Sequence, residues 1–263
     1  GVERSMFPMG YKPRFGNLVN NTAQRMECET LYWKDKTITL TNRNYDEVFG
    51  KELDDINKYD PVDHKDAYAR EHMIEYAHRT IEQTRKVVKE LCGKNKITSE
   101  RYVMNKPKQL LHDIIGRIDY ETNKSFIELK TKPPSIVKKK GKDEYYFKTQ
   151  TLSDDAVFDA YWGQVAFYWK CTGKKPFLVL VNDKEYLIYD DTHAALYDDH
   201  LEYQYNMMIK RIYNWEQMII YCKGDLQKLA DISEPPDLNH FYHYKFLTDK
   251  QRKTIKQLWG LDA

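Results

Sequence analysis

The sequence predicts an α/β protein: a small central mixed β-sheet flanked by helices, with helical additions at both ends. Helical and extended segments alternate in the order helix, two strands, helix, two strands, helix, which suits helices packed on a sheet. Two of the extended segments, SFIELKT (Ser125–Thr131) with its Phe, Ile and Leu and the apolar PFLVLVN (Pro176–Asn182), read as strands that adjoin turn residues. At 263 residues, 41% hydrophobic and 31% charged, the chain has material for one large globular domain with appendages.

Three segments follow from this. Residues 1–60 read as an N-terminal extension with a strand at Thr37–Thr41 and a short helix over 44–57. Residues 61–223 form the core. Pro61 precedes a long helical pattern, Asp63–Leu91, with Ala67, Ile74, Ala77, Ile81, Val88 and Leu91 on its apolar face and a stop at Cys92-Gly93. Leu110–Tyr120 and Ser125–Thr131 pair as strands around Thr122-Asn123-Lys124. A lysine-rich loop leads to a helix over Asp154–Cys171, capped by Ser153 and closed by Gly173. A second hairpin, Pro176–Asn182 with Glu185–Asp190, turns at Asp183-Lys184. The last core helix, Thr192–Cys222, carries Leu201, Tyr205, Met208, Ile212, Trp215, Ile219 and Cys222 as a core stripe. After Glu234-Pro235-Pro236, the tail (224–263) holds a small helix from Thr248.

Composition narrows the function. A net charge of +2 is no footprint of bulk polyanion binding, so any nucleic-acid contact rests on local clusters. The 21 tyrosines, beyond core needs, offer stacking surfaces with a polar handle. No apolar run reaches the roughly 18–20 residues that span a bilayer, and GVERSMFPMG matches no secretory or transit pattern. Cys28, Cys92, Cys171 and Cys222 are scattered, which points to a reduced compartment without zinc or iron–sulfur sites. The expectation is a soluble intracellular protein; phage-encoded and mitochondrial origins are not distinguished.

The chemistry concentrates in GRIDYETNKSFIELK (Gly116–Lys130). Alternation along a strand sends Ile127 and Leu129 to the core and places Glu128 and Lys130 together on the other side. A tight hairpin brings Asp119 beside Glu128. Two such carboxylates repel unless a cation lies between them or one takes a proton. Hard oxygen ligands suit Mg²⁺ or Mn²⁺, and Lys130 is placed to neutralise charge on a phosphate. The alternative is a hairpin whose charges face water.

Surrounding residues add a resemblance. G-x-x-D (Gly116–Asp119), E-x-K-T (Glu128–Thr131) and Q-x-x-x-Y (Gln164–Tyr168), in that order, resemble the PD-(D/E)XK nuclease superfamily and its RecB-like exonuclease branch, over roughly residues 64–190. The resemblance implies a restriction-endonuclease-like αβββαβ core. It implies Asp119, Glu128 and the Leu129 carbonyl as metal ligands and Lys130 as the catalytic lysine. Gln164 and Tyr168, one helical turn apart, would orient the strand and that lysine. A family histidine on the preceding helix maps best to His78 (HRTIE) as a further ligand, with His72, Glu71 and Glu75 as the other candidates. Ile74 stands where the family has a small residue, and the cysteine cluster of the iron–sulfur branch is absent. The implied activity is a Mg²⁺- or Mn²⁺-dependent DNA exonuclease acting on single-stranded ends in replication, repair or recombination. The alternatives are a structure- or site-specific endonuclease on the same fold, or a non-catalytic nucleic-acid-binding module.

The segment Lys132–Lys148 holds six lysines against two acids, interleaved with Tyr145, Tyr146 and Phe147. Lys132, Lys138, Lys139 and Lys140 would engage phosphates while Tyr145 and Tyr146 stack bases, each stack worth about 1–3 kcal/mol. Tyr11, Arg14, Phe15 and Arg25, and the tail HFYHYKF, are further candidates for DNA contact.

Overall fold

The structure, a computed structural model, describes residues 10–33, 36–41, 43–58, 61, 63–141, 144–154, 159–235 and 248–261. Two compact units emerge. Of the described residues, one unit comprises those within 10–105 and 114–206, and the other those within 106–113 and 207–261.

The larger unit is α/β, as expected. Its strands are β1 (Thr30–Trp33), β2 (Lys36–Thr39), β3 (Thr98–Asn105), β4 (Ile114–Glu121), β5 (Ser125–Thr131), β8 (Lys175–Val181) and β9 (Tyr186–Tyr189). They form one mixed sheet in the order β2-β1-β3-β4-β5-β8-β9. β6 (Ser135–Lys138) and β7 (Tyr145–Lys148) make a separate ribbon. The helices are α1 (Tyr11–Glu27), α2 (Tyr45–Asn57), α3 (His64–His72), α4 (Ile74–Cys92), α5 (Asp159–Thr172) and the start of α6 (Asp198–Cys222). In chain order α4, β3, β4 and β5 follow one another, and α5 and β8 come after the β6–β7 ribbon; seven strands make the sheet larger than expected.

β5 and β8 lie parallel over seven residue pairs. β8 is a near-continuous apolar run buried on both faces, and β5 is buried on both faces from Ser125 to Leu129, as suits parallel strands; α5 lies on the crossover that parallel pairing demands. α4 packs Val87, Val88 and Cys92 onto Tyr120, Ile127, Leu129 and Val179. The β8–β9 turn falls where the sequence puts it: Asn182 Oδ1 accepts from the amides of Lys184 and Glu185 at 2.8 Å each.

Several expectations are corrected. Residues 10–60 are no appendage, since β1 and β2 complete the sheet and α1 buries Phe15, Leu18 and Val19. The helix expected over 63–91 divides at Met73. Its buried stripe runs through Ala69, Met73, Ala77 and Ile81, whereas Ala67 and Ile74 face outward. The strand expected from Leu110 begins at Ile114. The lysine-rich loop is largely the β6–β7 ribbon, with residues 142 and 143 outside the described residues. For the helix expected from Asp154, residues 155–158 also lie outside them.

In the smaller unit, Glu216 of α6 accepts from the amides of Leu111 and His112 at 2.9 and 3.1 Å. α7 (Leu226–Ile232) and α8 (Asp249–Leu258) complete it. The α6 stripe is core only in part, because Leu201, Tyr205 and Cys222 are buried while Trp215 and Ile219 are exposed. The tail sequence HFYHYKF lies outside the described residues. No helix among the described residues is long and apolar enough to cross a membrane.

Candidate active site

The site begins where a β-ladder stops. β4 and β5 pair only at Tyr120↔Ile127 and Glu121↔Phe126. One step further, Asp119 Oδ2 accepts the Leu129 amide at 2.8 Å, so a carboxylate stands where a backbone carbonyl would continue the sheet. The N–H and C=O of a strand residue leave on the same edge, which turns the Leu129 carbonyl toward this gap as well. Ile127 and Leu129 enter the core. On the other side Lys130 Nζ donates to Glu128 Oε1 at 2.5 Å.

Burial sets the electrostatics. Glu128 is 2% exposed, and its Oε2 has no hydrogen-bond partner. Burial, reinforced by Asp119, pushes the Glu128 carboxyl up to about 8. Burial also pushes Asp119 up to about 6, although Lys130 pulls against it. For Lys130, burial favours the neutral amine, but Glu128 and Asp119 outweigh it and raise the pKa, so the ammonium persists.

An orphaned buried carboxylate oxygen needs a partner, and a pair of hard oxygen donors fits a divalent cation. Among the described residues no group of three or more His, Cys, Asp or Glu could hold a metal ion. The ligand set that the resemblance implies, Asp119, Glu128 and the Leu129 carbonyl, lies at this gap and offers few enough donors to suit an ion such as Mg²⁺ that retains several waters.

A second chain of contacts fixes the lysine. Lys130 Nζ donates to Gln164 Oε1 at 2.8 Å, and Gln164 Nε2 donates to the Tyr168 hydroxyl at 2.9 Å. That hydroxyl in turn donates to the Arg117 carbonyl at 2.7 Å and accepts the Arg117 amide at 3.2 Å. Tyr168 thus closes β4 where β5 has left it, and acts on Lys130 only through Gln164. Gly116 is required beside it: a Cβ there would overlap the Tyr168 ring and come within 3.0 Å of Phe167 Cε1. Tyr161, one turn before Gln164 on α5, lies under Lys130 Nζ at 4.7 Å and Lys132 Nζ at 5.4 Å from the ring centre.

Sequence reasoning missed a third support. Asn20 Nδ2 donates to Asp119 Oδ1 at 3.3 Å, while Asn20 Oδ1 accepts from the Tyr120 hydroxyl at 2.9 Å. Gln24, one turn on, donates to Glu100 Oε1 at 2.9 Å and to the Asp119 carbonyl at 3.3 Å. Glu100 holds a left-handed φ of 55°, strain that persists only where surroundings enforce it. The available signal was Gln24, a polar residue within the apolar stripe of α1.

So α1, not α4, supplies the helix side chains at Asp119. His78 is corrected: its Nδ1 meets the Tyr45 hydroxyl at 2.7 Å and its ring stacks on Phe49 at 4.1 Å. The other candidates are also engaged elsewhere. His72 contacts Tyr68 and Glu71, and Glu75 pairs with Arg79.

The expected DNA-contacting residues divide. Lys138, Lys139 and Lys140 are exposed toward the ribbon tip, with Lys139 paired to Glu144 at 2.7 Å. Tyr146 is exposed. Tyr145 leans on Tyr68 at 5.8 Å, and Phe147 anchors the ribbon against Tyr68 and Tyr76. Lys132 adjoins the site, its pKa lowered by burial and by Lys130. Four N-terminal candidates are structural instead. Phe15 is buried, Arg14 pairs with Asp66, Arg25 pairs with Glu52, and the Tyr11 hydroxyl donates to the Pro134 carbonyl.

Comparison of the chain with protein-family models, characterised proteins and solved structures found no match.

Proposed function

We propose that the protein is a metal-dependent deoxyribonuclease that hydrolyses phosphodiester bonds at single-stranded DNA ends. One observation carries the reading: two carboxylates and an ammonium meet where β4 and β5 part, and Glu128 Oε2 is left buried without a partner. A buried oxygen left in this way beside a second carboxylate marks a place where a ligand can supply the missing partner. A bound Mg²⁺ or Mn²⁺, held by Asp119, Glu128 and the Leu129 carbonyl, would polarise the scissile phosphate and lower the pKa of a water. Asp119 is oriented for this by the Leu129 amide and Asn20. Lys130 stays charged, and Gln164 aims its ammonium to neutralise charge that develops as water adds to phosphorus and the leaving oxygen departs.

The β6–β7 ribbon, with exposed lysines and Tyr146, supplies backbone contacts and a stacking surface. Digestion of end-labelled single-stranded DNA with Mg²⁺, beside an EDTA control, tests the reading. Progressive Mg²⁺-dependent loss of nucleotides from an end is the expected result. Intact substrate with both Mg²⁺ and Mn²⁺ would refute it, and cutting of a circular single strand would replace the exonuclease with an endonuclease.

A further inference from the structure

At the turn end of the β4–β5 hairpin, away from Lys130, a second cleft opens with a volume of about 620 Å³. Its chemistry is one-sided. Lys94, Lys96, Arg101 and Lys174 line it against one carboxylate, Glu121, and the remaining lining is threonine, asparagine and Tyr32, with no aliphatic side chain. An apolar small molecule finds nothing to bury against here, whereas a ligand rich in anionic oxygens finds donors on every wall.

The cleft is also built rather than incidental. Glu121, 4% exposed, accepts from Arg101 at 2.5 Å and from Lys174 at 2.8 Å. Lys174 Nζ also donates to the Thr122 carbonyl at 2.5 Å. One buried carboxylate thus pre-positions two cations and balances only one of them. The left-handed Glu100 contributes too. Thr98 and Arg101, three residues apart, would face opposite sides of a regular strand, yet with φ 55° at Glu100 both line the cleft. Lys94 and Lys96 reach it from the α4–β3 connection, so its cations form two separated groups rather than one point.

We infer that this cleft binds backbone phosphates of the nucleic-acid strand whose end enters the active site, an inference that rests on the nuclease reading. Glu121 is two residues from Asp119 on β4, about 7 Å along the strand, so neighbouring phosphates of one strand can occupy both places. Separated cations suit a chain of phosphates better than a single free one.

The test is anisotropy of a labelled single-stranded oligonucleotide on the Lys130→Ala protein, titrated across salt. Removing three phosphate contacts makes the slope of log K against log salt shallower by about 2. The Lys94→Ala/Lys96→Ala/Lys174→Gln variant is therefore expected to show that change and at least about tenfold weaker binding at low salt. Lys94→Glu/Lys96→Glu, which leaves the Glu121 pairs intact and removes two contacts, is expected to make the slope shallower by about 1.4 and stands in if the first variant misfolds. Unchanged slopes in a folded variant, with wild-type cleavage intact, would overturn the cleft and leave the nuclease reading standing. If wild-type protein neither binds nor cuts oligonucleotides while pyrophosphate binds it by calorimetry and the cleft substitutions abolish that binding, both readings fall.

Discussion

The β4–β5 hairpin carries a buried glutamate at each end, and the two are finished differently. Glu121 sits where the ladder is intact, and Arg101 and Lys174 both donate to it. Glu128 sits where the ladder has parted, with Lys130 on one oxygen and nothing on the other. Glu121 is thus held by two cations of its own chain, both on Oε1, whereas Glu128 has one cation and a buried oxygen without a partner, and burial raises its proton affinity.

The most direct attack on this contrast is catalytic. Lys130→Ala and Glu128→Gln are each expected to lower kcat by at least about 10³-fold, while Glu121→Gln leaves kcat within about threefold. Steady-state digestion of single-stranded DNA measures all three; a comparable loss in Glu121→Gln would erase the distinction. Next in size is Tyr168→Phe, which removes the hydroxyl shared by Gln164 and the Arg117 backbone. It should lower kcat by about 10-fold and stability by about 2 kcal/mol, read by urea unfolding, and wild-type behaviour in both would dismiss the positioning role.

Replacing Lys138, Lys139 and Lys140 together with alanine should raise KM severalfold more than it lowers kcat. Equal KM values would remove the ribbon from substrate binding.

The stability contrast is smaller but has opposite signs. In EDTA at pH 8, Glu121→Gln is expected to destabilise by about 1–2 kcal/mol, softened because Arg101 and Lys174 keep solvent access. Glu128→Gln should stabilise, because it removes a buried charge with an unmet oxygen. Two destabilised variants would contradict the idea of an unfinished site.

The same logic fixes a pH dependence. Glu128 titrates near 8 in the folded chain against an ordinary value of 4.5, and Asp119 near 6 against 3.8. The folded state therefore holds protons that the unfolded state has released, so cation-free stability falls as pH rises from about 4 to 8. Melting in EDTA should show a declining Tm across that window, and Mg²⁺ should raise Tm more at pH 8 than at pH 6. A Tm that rises with pH in EDTA would contradict the assignment.

Much of this was legible from local sequence. Period-2 alternation correctly put Ile127 and Leu129 inside and Glu128 with Lys130 opposite, and helical spacing correctly stacked Gln164 below Tyr168. Both rules act within one element. What stayed hidden depends on contacts far apart in the chain. Asn20 reaches Asp119 across 99 positions, and no periodicity encodes such a meeting. His78 misled because its helical position looked inward, yet the face it adjoins is occupied by Tyr45 and Phe49. β3 escaped because TSERYVMN lacks alternation, and the twist in its pattern is the left-handed Glu100 itself.

Gly116 takes part in no hydrogen bond of the site, yet it determines how closely α5 can seat on β4. Any carbon added there must push the Tyr168 ring aside, and Gln164 with the Lys130 ammonium would be carried off target along with it. A position with no functional group to lose is thus an intolerant one beside this site, and an alanine there is expected to displace Gln164 and the Lys130 ammonium while every polar atom remains in the sequence.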